Sequence, residues 1–215
     1  MTAYLCYSCV MTGFVYPIIV HVGWNSDGYF SSLRGGRLFL GCGLIDFAGS
    51  GVVHFTGGVA ALAAATSFLP RPGRFNGQLK LAEYHVIFQT LGVLLLWVGW
   101  YAFNCGSVGR LVSNFDDADS GESLRDGGGL VAHVAMTTTL AAGAGCLGAT
   151  LWSYLFDERN VILNAKQTNN GILAGLVSVT AGAATVNAPA AAAIGFLGSA
   201  VFFATAKFID HLLID

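Results

Sequence analysis

The stretch Ile45–Leu62, "IDFAGSGVVHFTGGVAAL", consists almost entirely of apolar and small residues, yet it carries Asp46 and His54. Read as a helix, it places Asp46, Ser50, His54 and Gly58 at successive i+4 positions. Asp46 and His54 then lie about 12 Å apart along the axis and about 80° around it, too far for a direct Asp–His pair. The neighbours of His54 on its face are Ser50, Gly51, Gly57 and Gly58, all small. The imidazole therefore looks into space or onto a closely packed neighbour. An ionisable group at membrane depth marks a functional site, and a neutral imidazole is the side chain suited to handling a proton near neutral pH. The plainer alternative is a histidine satisfied by one backbone or hydroxyl partner. Asp46, near the end of the segment, reads as a helix N-cap or a clamp on loop amides.

The rest of the chain fits a membrane setting. Its 215 residues are 54% hydrophobic and only 10% charged, with a mean hydropathy of +0.64. Soluble domains carry about 25% charged residues, and the apolar runs here reach the roughly 20 residues that cross a bilayer. The fold class is all-α, a polytopic transmembrane helical bundle embedded in the lipid bilayer. A net charge of -2, with no basic patch interleaved with aromatics, leaves no nucleic-acid partner. Hydrophobic periodicity predicts six spans at about 3–23, 41–69, 84–106, 130–156, 171–188 and 190–209. No signal peptide pattern precedes the first.

Alternating the connecting loops puts Arg71, Arg74, Lys80, Arg159, Lys166 and Lys207 on one side. Arg34, Arg37, Arg110 and Arg125 fall on the other, together with Asp116, Asp117, Asp119, Glu122 and Asp126. The positive-inside rule makes the first side cytoplasmic. Small residues at helical spacing, Gly57–Ala61–Ala65 and Gly171–Gly175, predict close helix packing. Cys6, Cys9, Cys42, Cys105 and Cys146 match neither a zinc site nor a disulfide framework, and read as buried, inert thiols.

A second cluster closes the third span, "LLLWVGWYAFNCGS", Leu94–Ser107. Trp97, Trp100, Asn104 and Ser107 share one helical face, and Trp100, Phe103 and Ser107 fall together. The arrangement suits an interfacial aromatic belt or a cation site, where each aromatic face contributes about 0.5–2 kcal/mol. Trp24, after the first span, reaches the same side. Thr137, Thr138 and Thr139 read as helix packing. His85, His133 and His211 read as solvated or interfacial. No catalytic signature is present: Ala48-Gly49-Ser50-Gly51 lacks the G-x-S-x-G elbow, and H-E-x-x-H is missing. Ser50 and His54 on one helix are a poor nucleophile–base pair, so the chain reads as no enzyme.

"DFAGSGVVH", "LLWVGWYAFNCGS", "TGFVYPIIVH" and "MTTTLAAG" together resemble the ammonium transporter family, within the ammonium transporter, methylammonium permease and Rh superfamily, and most of all its plant and algal branch. The resemblance covers nearly all of residues 1–215 in segment order. It implies an eleven-helix fold built from two inverted halves, a homotrimer with one pore per subunit, and a plasma-membrane location. The present chain would correspond to the fourth to ninth helices. By the same resemblance, Trp24, Trp100 and Ser107 form the outer ammonium-recruitment site, and Phe103 is one gate phenylalanine. His54 is the first of two pore histidines, and Asp46 supports the outer site. The second pore histidine follows an acidic-Pro segment in the family's tenth helix, and His211 is not that residue. The implied activity is passage of ammonium or ammonia, with methylammonium, and with no cofactor or metal. The alternative is a non-conducting regulatory or sensing subunit, or an inactive remnant.

Overall fold

The computed structural model describes residues 2–68, 70–76, 85–109, 127–156 and 164–215. Helix α1 (Thr2–Val10) runs through a wide π-helical turn, Met11–Val15, into α2 (Tyr16–Trp24). The widened turn falls directly before Pro17, which has no N–H to offer and crowds the preceding turn, so the helix continues past a residue that would otherwise break it. The rod ends where Asn25 turns extended. A second π-helical segment, Ser50–Phe55, leads into α3 (Thr56–Phe68). Then follow α4 (Val86–Gly106), α5 (Gly127–Phe156), α6 (Ala165–Val179) and α7 (Ala188–His211). Among the described residues five spans are long and apolar enough to cross a membrane; α6, with 15 residues, is too short. At 1.5 Å per residue it covers about 22 Å of a roughly 30 Å core.

Two predicted spans change. The second begins at Ser50 instead of residue 41, because Gly41, Gly43 and Gly49 adopt positive φ (84°, 71° and 102°), a region glycine enters without steric cost. Asp46 therefore lies outside the helix, and the helical spacing computed between Asp46 and His54 does not apply. The fifth span, predicted at 171–188, starts earlier, at Ala165, where Asn164 caps the Gln167 amide. It stops at Val179. Residues 180–186 form turns, and Asn187 then caps Ala190 to open α7 with Pro189 in its first turn.

Helices α5, α6 and α7 make the dense part of the molecule, and glycines allow their backbones to touch. A Cβ added at Gly175 would collide with the Ala141 carbonyl, and one at Gly171 with Ala149 and the Gly145 carbonyl. Gly195 meets Ala141 from α7 in the same way. This is the close approach predicted for Gly171–Gly175. Gly175→Val should separate α5 from α6 and lower stability by about 3 kcal/mol, a typical overpacking cost; a thermal-unfolding midpoint in detergent equal to that of the native chain would contradict it. Gly57, by contrast, meets no atom within 4 Å, so the stripe on α3 forms no such contact here.

The cysteines also differ from expectation. All five are free, but only Cys105 and Cys146 are partly buried; Cys6, Cys9 and Cys42 are exposed on the surface of this chain. α1 packs against little else, so its side chains stay open.

The loop after α3 folds back on the end of α7. Arg71 grips Asp215 through Nε and Nη2, at 2.6 and 2.5 Å, and Arg74 adds a contact at 3.3 Å. The Arg71 guanidinium holds the Asp215 carboxyl well below the usual carboxylate range. A depressed carboxylate pKa means that the pair contributes above the ordinary carboxylate range and is lost only on strong acidification. Lys207 donates to the Phe156 carbonyl at the end of α5 (2.7 Å), a favourable place for a cation. Arg71, Arg74 and Lys207 thus gather at one end of the bundle, as the alternating loops predicted. Lys80, Arg110, Arg125, Arg159 and the acidic residues Asp116 to Asp126 lie outside the described residues.

Candidate functional site

The site grows out of the strap between the loop and α3. Asp46 is buried, and its Oδ2 accepts the amides of Gly51 (3.0 Å) and Val52 (2.7 Å). These are among the donors that a helix start leaves unpaired, and a carboxylate there also meets the positive end of the helix dipole. The Asp46 carbonyl accepts the Trp24 indole N–H at 2.6 Å. On the opposite side the strap is stitched to the broken end of α6. Phe47 N–H donates to the Ala181 carbonyl (2.9 Å), Ala48 N–H to Thr180 (3.2 Å), and Ser50 Oγ to Val177 (2.9 Å). The strap thereby satisfies carbonyls that α6 would otherwise leave orphaned.

Beyond Gly49 the backbone winds widely, and the His54 amide reaches back to the Gly49 carbonyl at 3.0 Å. The imidazole then lies flat on Trp100 of α4, with ring centres 5.0 Å apart and planes 18° from parallel. Phe103 closes the other edge at 5.5 Å and 44°, and touches Trp100 at 6.1 Å. His54 Nε2 is buried with no hydrogen-bond partner among the described residues. The plainer reading of His54, a ring satisfied by one hydroxyl or carbonyl, finds no such partner at Nε2. A neutral imidazole nitrogen without a partner can accept a proton near neutral pH.

Trp100 donates its indole N–H to Thr180 Oγ1 (3.0 Å). Asn104, fully buried, donates to Thr138 (3.0 Å). Ser107 is exposed at the end of α4, its hydroxyl turned to the Phe103 carbonyl (2.9 Å). Each of the three residues grouped as an outer site has its own contacts. Trp24 packs by Asp46 and Gly49, and Ser107 lies at the mouth of α4. Trp100 lies seven residues deeper than Ser107, about 10 Å along the helix, against His54. The residues brought together are His54, Trp100 and Phe103.

Sequence reasoning missed Thr180, whose only signal is a hydroxyl just before the small-residue break "TAGAATVNAP". From sequence, His133 reads as solvated or interfacial. His133 is half-buried in α5, with Nε2 2.9 Å from the Val186 carbonyl. Thr137 and Thr138 are buried and bond backbone carbonyls, Thr137 reaching Ala183 across to the α6–α7 turn, while exposed Thr139 bonds Tyr101. Among the described residues, no three metal-ligating side chains converge.

A bundle with five apolar helices long enough to cross a membrane defines a polytopic membrane protein. The profile of the Ammonium Transporter Family matches residues 1–215, and the chain belongs to that family. It is 38% identical to ammonium transporter 1 member 4 of Arabidopsis thaliana over 99% of its own length and 42% of that relative. Identity to ammonium transporter 1 member 1 of Oryza sativa subsp. japonica is also 38%, with the same coverage. Among solved structures it is similar to one described as a sensor Amt protein, with a TM-score of 0.74 and 33% identity over 94% of this chain and 45% of that one. Saccharomyces cerevisiae Mep2 gives 0.70 and 28%, over 92% and 38%. The chain thus spans about two fifths of the length of the curated relatives it matches. It is an integral membrane protein.

Proposed function

We propose that this chain supplies half of a pore that moves ammonium, as ammonia plus a proton, across the plasma membrane, and that the working protein is a homotrimer of longer subunits. The observation that carries this reading is the half-buried His54 ring, stacked on Trp100 with its buried Nε2 unpaired among the described residues. Family membership supports the substrate class. Moving a bare cation into a low-dielectric medium costs on the order of 20 kcal/mol in the ideal limit. A narrow apolar pore does not offset that. Trp24 and Ser107 gather the cation by an aromatic face and a hydroxyl, and the Asp46 carbonyl anchors the Trp24 indole at the end of α2. Phe103 narrows the path beneath. Deprotonation then lets neutral ammonia pass His54, and methylammonium behaves alike. Potassium has no proton to give up, so the same step provides selectivity. No bond of the solute is made or broken except to hydrogen, so the activity is transport and not enzymatic conversion, and needs no cofactor.

The test is uptake of labelled methylammonium by yeast lacking its own transporters. Trp100→Leu should weaken uptake several-fold, in line with a lost aromatic contact of about 1 kcal/mol; unchanged rates would remove Trp100 from the path. A second reading, a non-conducting sensing subunit, takes its support from the likeness to a protein described as a sensor. Uptake by the 215-residue chain expressed alone would exclude it.

A further inference from the structure

We propose that Thr180 is a positioning residue: it holds the Trp100 indole flat against His54. The inference rests on the reading of His54 as a pore-wall residue. Thr180 is fully buried at the point where α6 stops. Its hydroxyl has one proton, and the geometry spends it on the Leu176 carbonyl at 2.7 Å. The lone pairs left over can only accept, and the Trp100 indole can only donate. The 3.0 Å bond between them is therefore the one pairing in which both groups are satisfied.

The consequence travels one step further. His54 has no partner at Nε2, so stacking on Trp100 and contact with Phe103 orient its ring. Trp100 shares a cluster with Val93, Ala142, Ile172 and Leu176, whose apolar side chains give an indole a place but no direction about its long axis. Direction comes from the Thr180 bond. The backbone carbonyl of the same residue accepts Ala48 N–H, so Thr180 also fixes the strap that leads to His54. One residue at a helix break thus sets both rings of the stack.

Thr180→Val keeps the shape and removes the hydroxyl, leaving a buried indole N–H unpaired; Thr180→Ser restores the acceptor. The direct readout is the NMR spectrum of the full chain in detergent, with labelled Trp and His. In Thr180→Val the Trp100 indole N–H resonance should move, and the upfield ring-current shift of the His54 ring protons should fall, while both return in Thr180→Ser. His54 ring protons that keep their native shift in a folded Thr180→Val chain would overturn the positioning role. In the transporting full-length protein, Thr180→Val should lower methylammonium uptake about tenfold, the usual consequence of one unsatisfied buried donor, with uptake recovered by Thr180→Ser. Loss of uptake that Thr180→Ser does not recover would overturn the role too. A native protein that transports nothing overturns the proposed function alone, because the NMR comparison still decides whether Thr180 orients the stack.

Discussion

Replacing His54 by Ala should reduce ammonium uptake about a hundredfold or more, the scale on which a positioned proton-handling group acts. The imidazole is the one titratable ring in the wall formed with Trp100 and Phe103. Its removal leaves two aromatic faces, Trp100 and Phe103, with no basic group to take the proton from an entering cation. An apolar wall passes neutral ammonia only as fast as the cation loses its proton elsewhere. The loss should therefore ease as external pH rises and neutral ammonia becomes more abundant, whereas a merely structural defect stays uniform across pH. Initial rates of labelled methylammonium uptake between pH 5 and 8 check this. Equal rates for native protein and His54→Ala would remove His54 from the path.

Asp46→Ala should cost about 3 kcal/mol of stability. Two amides, Gly51 and Val52, depend on one carboxylate oxygen in a buried setting. Hydrogen bonds to a charged group are worth about 1.5–3 kcal/mol each, and the orphaned donors add their own desolvation penalty. The damage would spread to the strap, because Phe47, Ala48 and Ser50 next to it join α3 to the end of α6. Asp46→Asn keeps an oxygen that can accept, and loses the charge alone, so it should fall between. The thermal-unfolding midpoints of the three proteins in the same detergent should rank native, Asn, Ala. A midpoint for Asp46→Ala equal to the native value would mean that the clamp does not hold the helix start.

The residue types that matter were visible in the sequence, while the breaks that arrange them were not. Asp46 and His54 stood out because charge and imidazole are costly inside an apolar run. The α4 cluster stood out because Trp97, Trp100 and Phe103 recur at helical spacing. The start of α3 did not, because Gly41, Gly43 and Gly49 serve equally as helix-packing residues or as left-handed turns, and only the tertiary setting decides. The early stop of α6 was hidden for the same reason, since "TAGAATV" suits a helix as well as a turn. The stacking of His54 on Trp100 depends on how α3 approaches α4, and no local pattern encodes it. The wide turn at Ser50–Phe55 redirects His54 by an amount that regular helical spacing does not anticipate.

In the proposed pore, a half-buried imidazole in an aromatic wall separates ions by whether they can give up a proton. The most direct measurement is flux into proteoliposomes holding the full-length protein, under matched inward gradients of ammonium and of potassium. Ammonium should enter rapidly, and potassium no faster than into empty vesicles. Potassium carried at a rate comparable to ammonium would contradict it.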